Sequence, residues 1–419
     1  MSSVVGKTSS PVFEPFTFPN GSQVPNRLVK AAMEENMASR GQVPGEPLFE
    51  LYRRWSEGGA GLLVTGNVMV HAEALTGPAG VVLDAKSPLE PFRRWASAAK
   101  SGGARVWMQI NHPGRQVRAD MPGVAWGPSA VRVDVGKNSK RFADPVEMSA
   151  RQIGETVVRF AETARRAEEA GFDGVEIHAA HGYLLSQFLS PLANRRDDQW
   201  GGSLENRARL LLDIVRAVRG VVAPGFAVAV KLNSADFQRG GFDADDAESV
   251  IAMLAPLGVD LVELSGGSYE SPAMTGQAGD DRTRAREAYF LTFAERLVRT
   301  SALPLMLTGG VVRRPVAEEV LASGVELVGM GSALAVDPKL PAKWRDDADV
   351  KVELEPVRIG DKAVASAASM ARVRRQLRRL GAGRRTKPDI DPKLALVVET
   401  VLQALALRRY RAWLRDRIG

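Results

Sequence analysis

His178, His181 and Tyr183 fall close together in GVEIHAAHGYLLSQFLSPLANRRDDQWGGSLENR, the stretch from Gly174 to Arg207. Two imidazoles and one phenol at spacings of three and two residues form a compact set of hydrogen-bond donors and acceptors. Such a set can hold an oxygen atom and deliver a proton. A short apolar strand leads into His178, a long polar loop follows Tyr183, and a helix opens near Ser203. The chain has only four histidines: His71, His112, His178 and His181. Each stands just after a predicted strand. His178 and His181 lack a carboxylate or third histidine at zinc-ligand spacing, so no metal site is expected there.

The elements that must position these residues alternate regularly. Short apolar runs near 27–33, 61–66, 105–110, 173–178, 226–232, 259–265, 304–308 and 325–330 read as strands. Helical patterns fall near 46–58, 88–101, 149–170, 203–222, 243–256, 286–300 and 313–322. The third helix is the clearest. Ser149 with Gln152 makes a capping box, Ile153, Val157, Phe160, Ala164 and Ala167 recur at helical spacing, and Gly171 stops it. Eight such units predict an α/β protein of the (β/α)8 TIM-barrel class, with its chemistry at the C-terminal strand ends. A doubly wound sheet is the rival, but no GxGxxG opens a first strand–helix turn. Strand parity agrees with a barrel: His178 and Lys231 both become the last inward residues of their strands. The long segment 111–148 has no helical pattern and is expected to cap the barrel mouth.

Composition bounds the partners. Apolar residues make up 45% and charged residues 25%, as in a globular protein. No run of eighteen apolar residues is present, so no membrane span is expected. The first residues lack the charged start and apolar block of a secretory signal. Cysteine is absent, which excludes disulfides and any thiolate-held iron–sulfur cluster and fits a cytoplasmic location. From Arg372 to Gly419 there are fourteen Lys and Arg against four Asp and Glu. That +10 exceeds the +7 of the whole chain, so the remainder carries −3. The basic character belongs to the tail.

Several stretches besides 174–207 carry a resemblance: VPNRLVKAAM at 24–33, VTGN at 64–67, QINHPGRQ at 109–116, VKLN at 230–233, LTGG at 307–310 and VGMGSALAVDP at 328–338. In this order, over residues 12 to 345, the chain resembles the Old Yellow Enzyme family of FMN-dependent reductases, in its NADH:flavin oxidoreductase branch. The resemblance implies roles. His178 and His181 would bind a substrate carbonyl or nitro oxygen, and Tyr183 would protonate the substrate carbon opposite the hydride. Lys231 would sit near the N1–C2 edge of the flavin ring, where a cation raises its potential. Gln109 would bond the pyrimidine edge, and Ala32 and Gly66 would meet the ring through backbone amides. Arg115 either helps close the site or is a mobile surface arginine. The phosphate would lie against Gly309-Gly310 and Gly331-Ser332, because barrels hold phosphate with the loops after strands seven and eight and glycine lets the backbone approach.

Two positions depart from the family pattern. Ser332 replaces a common arginine at the phosphate, with Arg313 or Arg314 as substitutes. Glu34 stands where many relatives have Thr or Cys beside the flavin, so its carboxylate must be protonated, paired or turned away.

The expected organisation is an FMN-binding barrel over residues 1–345 and a basic helical extension over 346–419, its second helix carrying Leu394, Val398, Val401, Leu402 and Leu405 on one face. The expected activity passes hydride from NADH or NADPH through flavin to a small enone-type alkene. Alternatives are a flavin dehydrogenase or demethylase, an NADH oxidase, a cofactor-free lyase using Lys231 as a Schiff base, or a non-catalytic FMN-binding protein. Lys231 could also simply pair with Glu176 in the barrel interior. Nucleic-acid binding by the tail is not expected, and homo-oligomer formation is left open.

Overall fold

The computed structural model describes residues 10–271, 291–353, 355–360 and 362–418. All eight expected strands form: β1 (Leu28–Lys30), β2 (Leu62–Val64), β3 (Arg105–Asn111), β4 (Gly174–Ala179), β5 (Ala227–Asn233), β6 (Leu261–Ser265), β7 (Leu305–Thr308) and β8 (Leu327–Met330). Each pairs in parallel with its successor and β8 pairs with β1, so the ring closes in chain order. Between them run α1 (Glu46–Glu57), α2 (Glu90–Lys100), α3 (Ala150–Glu169), α4 (Leu204–Arg219), α5 (Ala244–Leu254), α6 (Leu291–Val298) and α7 (Arg314–Ala322). The first residues expected for the sixth helix, 286–290, lie outside the described residues. Two short helices, Ser332–Val336 and Leu340–Asp346, follow β8. The fold is a (β/α)8 barrel.

Local chemistry explains the elements. Strands covered on both faces are continuously apolar, and β5, AVAVKLN, is buried at every residue. The capping box of Ser149 and Gln152 opens α3. It ends before Gly171, whose φ of 88° only glycine adopts easily.

The barrel interior is layered. Val29, Leu62, Val64, Trp107, Ala227, Ala229, Leu261, Met306 and Leu327 form its apolar floor. Phe18, from a hairpin pairing Phe16–Thr17 with Gln23–Val24, closes the N-terminal end with its ring 4.9 Å from Trp107. Gly174 leaves room for that indole, because a Cβ there would stand 2.7 Å from Trp107 Cδ1. Above the floor the inward residues become polar: Gln109 is level with Glu176, and Lys231 lies between His178 and Glu263.

Three local expectations are corrected. The residues after Tyr183 are not a polar loop from the start, because Leu184–Leu189 form a helix buried throughout. Segment 111–148 holds a short turn of helix at Gly136–Arg141 and a small ladder joining Ala125–Gly127 to Pro145–Glu147. The tail forms two helices, α8 (Lys362–Gly381) and α9 (Pro392–Ile418), which pack on each other while α8 lies against α1. Of the expected apolar face of α9, Val398 and Leu402 are half-buried and Leu394, Val401 and Leu405 are exposed, whereas Ala395, Glu399, Ala406, Leu407, Tyr410 and Leu414 are buried within the chain. This helix is apolar on more than one side, so periodicity alone does not single out the packed side.

Candidate active site

The end of β4 turns sharply. His181 has φ of 62° and Gly182 of 72°. Holding a non-glycine residue in the left-handed region costs of the order of 1 kcal/mol and must be imposed by its surroundings. Here the His181 N–H donates to Asn233 Oδ1 at 3.0 Å, and His181 Nε2 lies 2.7 Å from Ser265 Oγ. The turn folds both imidazoles and the phenol together. The His178 ring stands 5.0 Å from that of His181 and 4.9 Å from that of Tyr183, nearly perpendicular to each.

Hydrogen bonds decide what each group can offer. The Ala180 N–H donates to His178 Nδ1 at 3.2 Å, so the neutral ring carries its proton on Nε2. Burial, with the nearby His181 and Lys231, pushes His178 well below the ordinary histidine value. Burial and Lys231 lower His181 to about 3. Both rings are therefore neutral donors near neutral pH. Tyr183 is pushed well above 10 by burial, with Tyr269 and Glu34 adding to the effect, so its phenol keeps its proton. Its hydroxyl lies 3.0 Å from that of Tyr269, which burial and Glu34 raise to about 12.

Beneath these groups lies a buried charged layer. Lys231 Nζ is 2.5 Å from Glu263 Oε1, and Gln109 Nε2 donates to Glu176 Oε2 at 2.5 Å. Among the described residues, Glu176 Oε1 and Glu263 Oε2 accept no hydrogen bond. Two buried carboxyl groups beside a single lysine disfavour a second negative charge. Burial and the neighbouring Glu263 raise Glu176 well above the carboxylate range. Burial also opposes charge on Glu263, but Lys231 holds it low. The layer is thus one lysine, one carboxylate and one carboxylic acid. The lysine's partner is Glu263, and not the Glu176 that stood as one alternative for it.

The other expected residues separate. Ala32, Gly309, Gly310 and Gly331 line the mouth half-buried, and Ser332 is exposed. Gly66 donates its N–H to Tyr52 Oη at 3.0 Å and Glu35 Oε1 at 3.2 Å, so its amide faces away from the mouth. Arg115 is no mobile surface group. It is buried, 2.5 Å from Glu270, and donates to the carbonyls of Val131 and Arg132. Arg314 turns to Glu318 and the Trp344 carbonyl. His71 and His112 stack on each other in a separate pair. Among the described residues no group of three or more His, Cys, Asp or Glu could hold a metal.

Sequence reasoning missed Ser265, Tyr269, Glu263 and Arg374. For Glu263 and Ser265 a signal existed, since both are inward on β6 at the same parity as Lys231 on β5. For Arg374 there was none, as it lies far along the chain from the Glu34 it pairs with.

The mouth suits a flavin mononucleotide. Its edge at β7 carries no side chain: Gly309 and Gly310 have φ of 145° and 74°, conformations that leave a bare backbone cradle for a phosphate. Its centre offers Lys231, Gln109 and two neutral imidazoles.

Residues 11–349 match the NADH:flavin oxidoreductase / NADH oxidase family. The chain belongs to that family, the one that includes Old Yellow Enzyme and binds FMN. It is 38% identical over 355 residues to an NADH-dependent flavin oxidoreductase, iliE, of Neonectria sp., covering 78% of this chain and 46% of that protein. A protein of the same name from Hypocrea jecorina is 34% identical over 359 residues, covering 80% of this chain and 89% of that protein. The old yellow enzyme homologue of Zymomonas mobilis shares the fold, with a TM-score of 0.69 at 24% identity, over 82% of this chain and 94% of that one. The chain spans less than half the length of the Neonectria relative.

Proposed function

We propose that the protein is an ene-reductase-type oxidoreductase that takes hydride from NADH or NADPH and reduces a small alkene conjugated to a carbonyl or nitro group. The observation that supports this reading is the cluster of two neutral imidazole donors and one protonated phenol at the end of β4. When bound, FMN supplies the hydride, which goes to the β-carbon of the alkene. The remaining work falls to the chain. His178 Nε2 and His181 Nδ1 donate to the substrate oxygen and stabilise the enolate-like charge that develops on it. Tyr183 Oη gives its proton to the carbon next to that group. Tyr183 then regains its proton from solvent, with Tyr269, 3.0 Å away, placed to relay it. Lys231 keeps the layer under the site from being net negative. Gln109, Ala32 and Gly66 would border the flavin ring, while Gly309, Gly310, Gly331 and Ser332 would receive the phosphate. The partners are small molecules, and the lack of cysteine fits a cytoplasmic setting.

Anaerobic mixing tests the reading. NADH or NADPH should bleach the flavin absorbance near about 450 nm, and 2-cyclohexenone or a nitroalkene should restore it faster than buffer alone. Bleaching that no alkene reverses would favour an NADH oxidase. Protein without flavin, trapped on Lys231 by borohydride and an aldehyde, would favour a lyase.

A further inference from the structure

We propose that α8 completes the substrate site: Arg374 is a positioning residue that holds Glu34 at the barrel mouth, and this pairing lets the site accept an anionic oxygen. Glu34 follows β1 closely, at the C-terminal end of the barrel. Its Oε2 takes a close hydrogen bond from Arg374 Nη2, and its Oε1 takes one from the Thr76 hydroxyl. Arg374 Nε also reaches the Glu34 carbonyl at 3.5 Å. Both side chains are largely buried, at 15% and 17% exposure. The second arm of Arg374 lies 3.4 Å from Glu399, which Arg378 meets at 3.1 Å. Two carboxylates and two guanidinium groups thus balance, and Arg378 further ties the tail to the Asn36 carbonyl.

The network is more than a staple for the tail, because its charge falls on the reacting groups. Glu34 acts electrostatically on both Tyr183 and Tyr269, and Arg374 opposes it at Tyr269. With Arg374 removed, the Glu34 charge beside Tyr183 and Tyr269 is no longer opposed by that guanidinium. A buried carboxylate without its partner disfavours an anion there. An acidic residue after the first strand and one arginine of the basic tail therefore pair in space.

This inference rests on the oxygen-binding role of His178 and His181, and the test separates the two. Holoenzyme is titrated with 4-hydroxybenzaldehyde, a phenol that binds as its anion, and with neutral 2-cyclohexenone, each by calorimetry and by flavin absorbance. Arg374→Met should weaken the phenol by about tenfold or more, the scale of one uncompensated charge at an effective dielectric near 20. It should change cyclohexenone by less than about threefold. Arg374→Lys should keep most of the phenol affinity, and Glu34→Gln with Arg374→Met should restore it. Equal weakening of both ligands, or no rescue by Glu34→Gln, overturns the electrostatic claim. If Arg374→Met does not fold, Glu34→Gln alone decides it: the unopposed Arg374 should tighten the phenol, and an unchanged affinity overturns the claim. Amide hydrogen exchange over residues 33–37, with and without FMN, tests the holding claim without any ligand. Exchange should be about tenfold faster in Arg374→Met, as expected for a lost local anchor, and unchanged exchange overturns it. Wild-type protein that binds no phenol would instead refute the oxygen-binding role, leaving the exchange measurement to decide the inference.

Discussion

Ser265 governs which proton His181 can offer. Its hydroxyl lies 2.7 Å from His181 Nε2. His181 can donate from Nδ1 only when Nε2 accepts, so Ser265 must be the donor in that bond. Ser265→Ala should weaken phenol binding and slow alkene reduction by roughly tenfold, about the value of one hydrogen bond. Flavin reduction by NADH should change little, and a larger loss in that half-reaction would contradict the assignment. The same histidine sets a pH signature. The folded state binds its proton only near pH 3, against an ordinary value of 6.5. The unfolded chain takes up that proton as pH falls below 6.5, so His181 is neutral to stability above that value and costs stability below it. At about pH 5 the cost is about 2 kcal/mol. Urea unfolding of wild type and His181→Asn at pH 7 and 5 checks this: the variant should lose less stability on acidification. At this scale the inward direction of His178 and Lys231 was legible, because strand parity fixes it. The partner of Lys231 was not, since Glu176 and Glu263 both point inward and only the strand register chooses between them.

Among elements, the polar layer of β3 to β6 is where the barrel stores its charge. Lys231 offsets Glu263, while burial and the neighbouring Glu263 raise Glu176 above the carboxylate range. Removing one partner of a buried pair leaves an uncompensated charge. Lys231→Met should therefore cost about 3–5 kcal/mol, and adding Glu263→Gln should recover most of it. Denaturant titration of the two variants measures both, and equal stability of the single and double variants would contradict the pairing. The strands were legible as short apolar runs, and the helices between them by their periodic apolar pattern. The helix Leu184–Leu189 was not. Six residues buried on every side show no amphipathic period.

For the molecule as a whole, the tail is integral to the barrel. Tyr410 Oη donates to the Ala72 carbonyl at 2.9 Å, Arg411 reaches the Asp120 carbonyl, and Arg417 pairs with Asp84. Leu377, Leu380, Leu407, Tyr410 and Leu414 are buried. Burial of such side chains contributes roughly 1.5–3 kcal/mol each. Truncation after residue 345 should thus lower the melting temperature sharply, and an unchanged calorimetric transition would show the tail to be a loose appendage. The tail's basic charge was legible in composition, but its destination was not. Arg374 meets Glu34 across 340 residues of sequence, and no local pattern reports so distant a pairing.

The central claim is that Tyr183 is the proton donor and not a packing residue at the rim. Stopped-flow kinetics of Tyr183→Phe resolves this, with flavin reduction by NADH and reoxidation by 2-cyclohexenone followed separately. Reduction should stay close to wild type, whereas reoxidation should slow by about a hundredfold or more, the usual contribution of a general acid. Equal slowing of both half-reactions, or reoxidation at the wild-type rate, would contradict it.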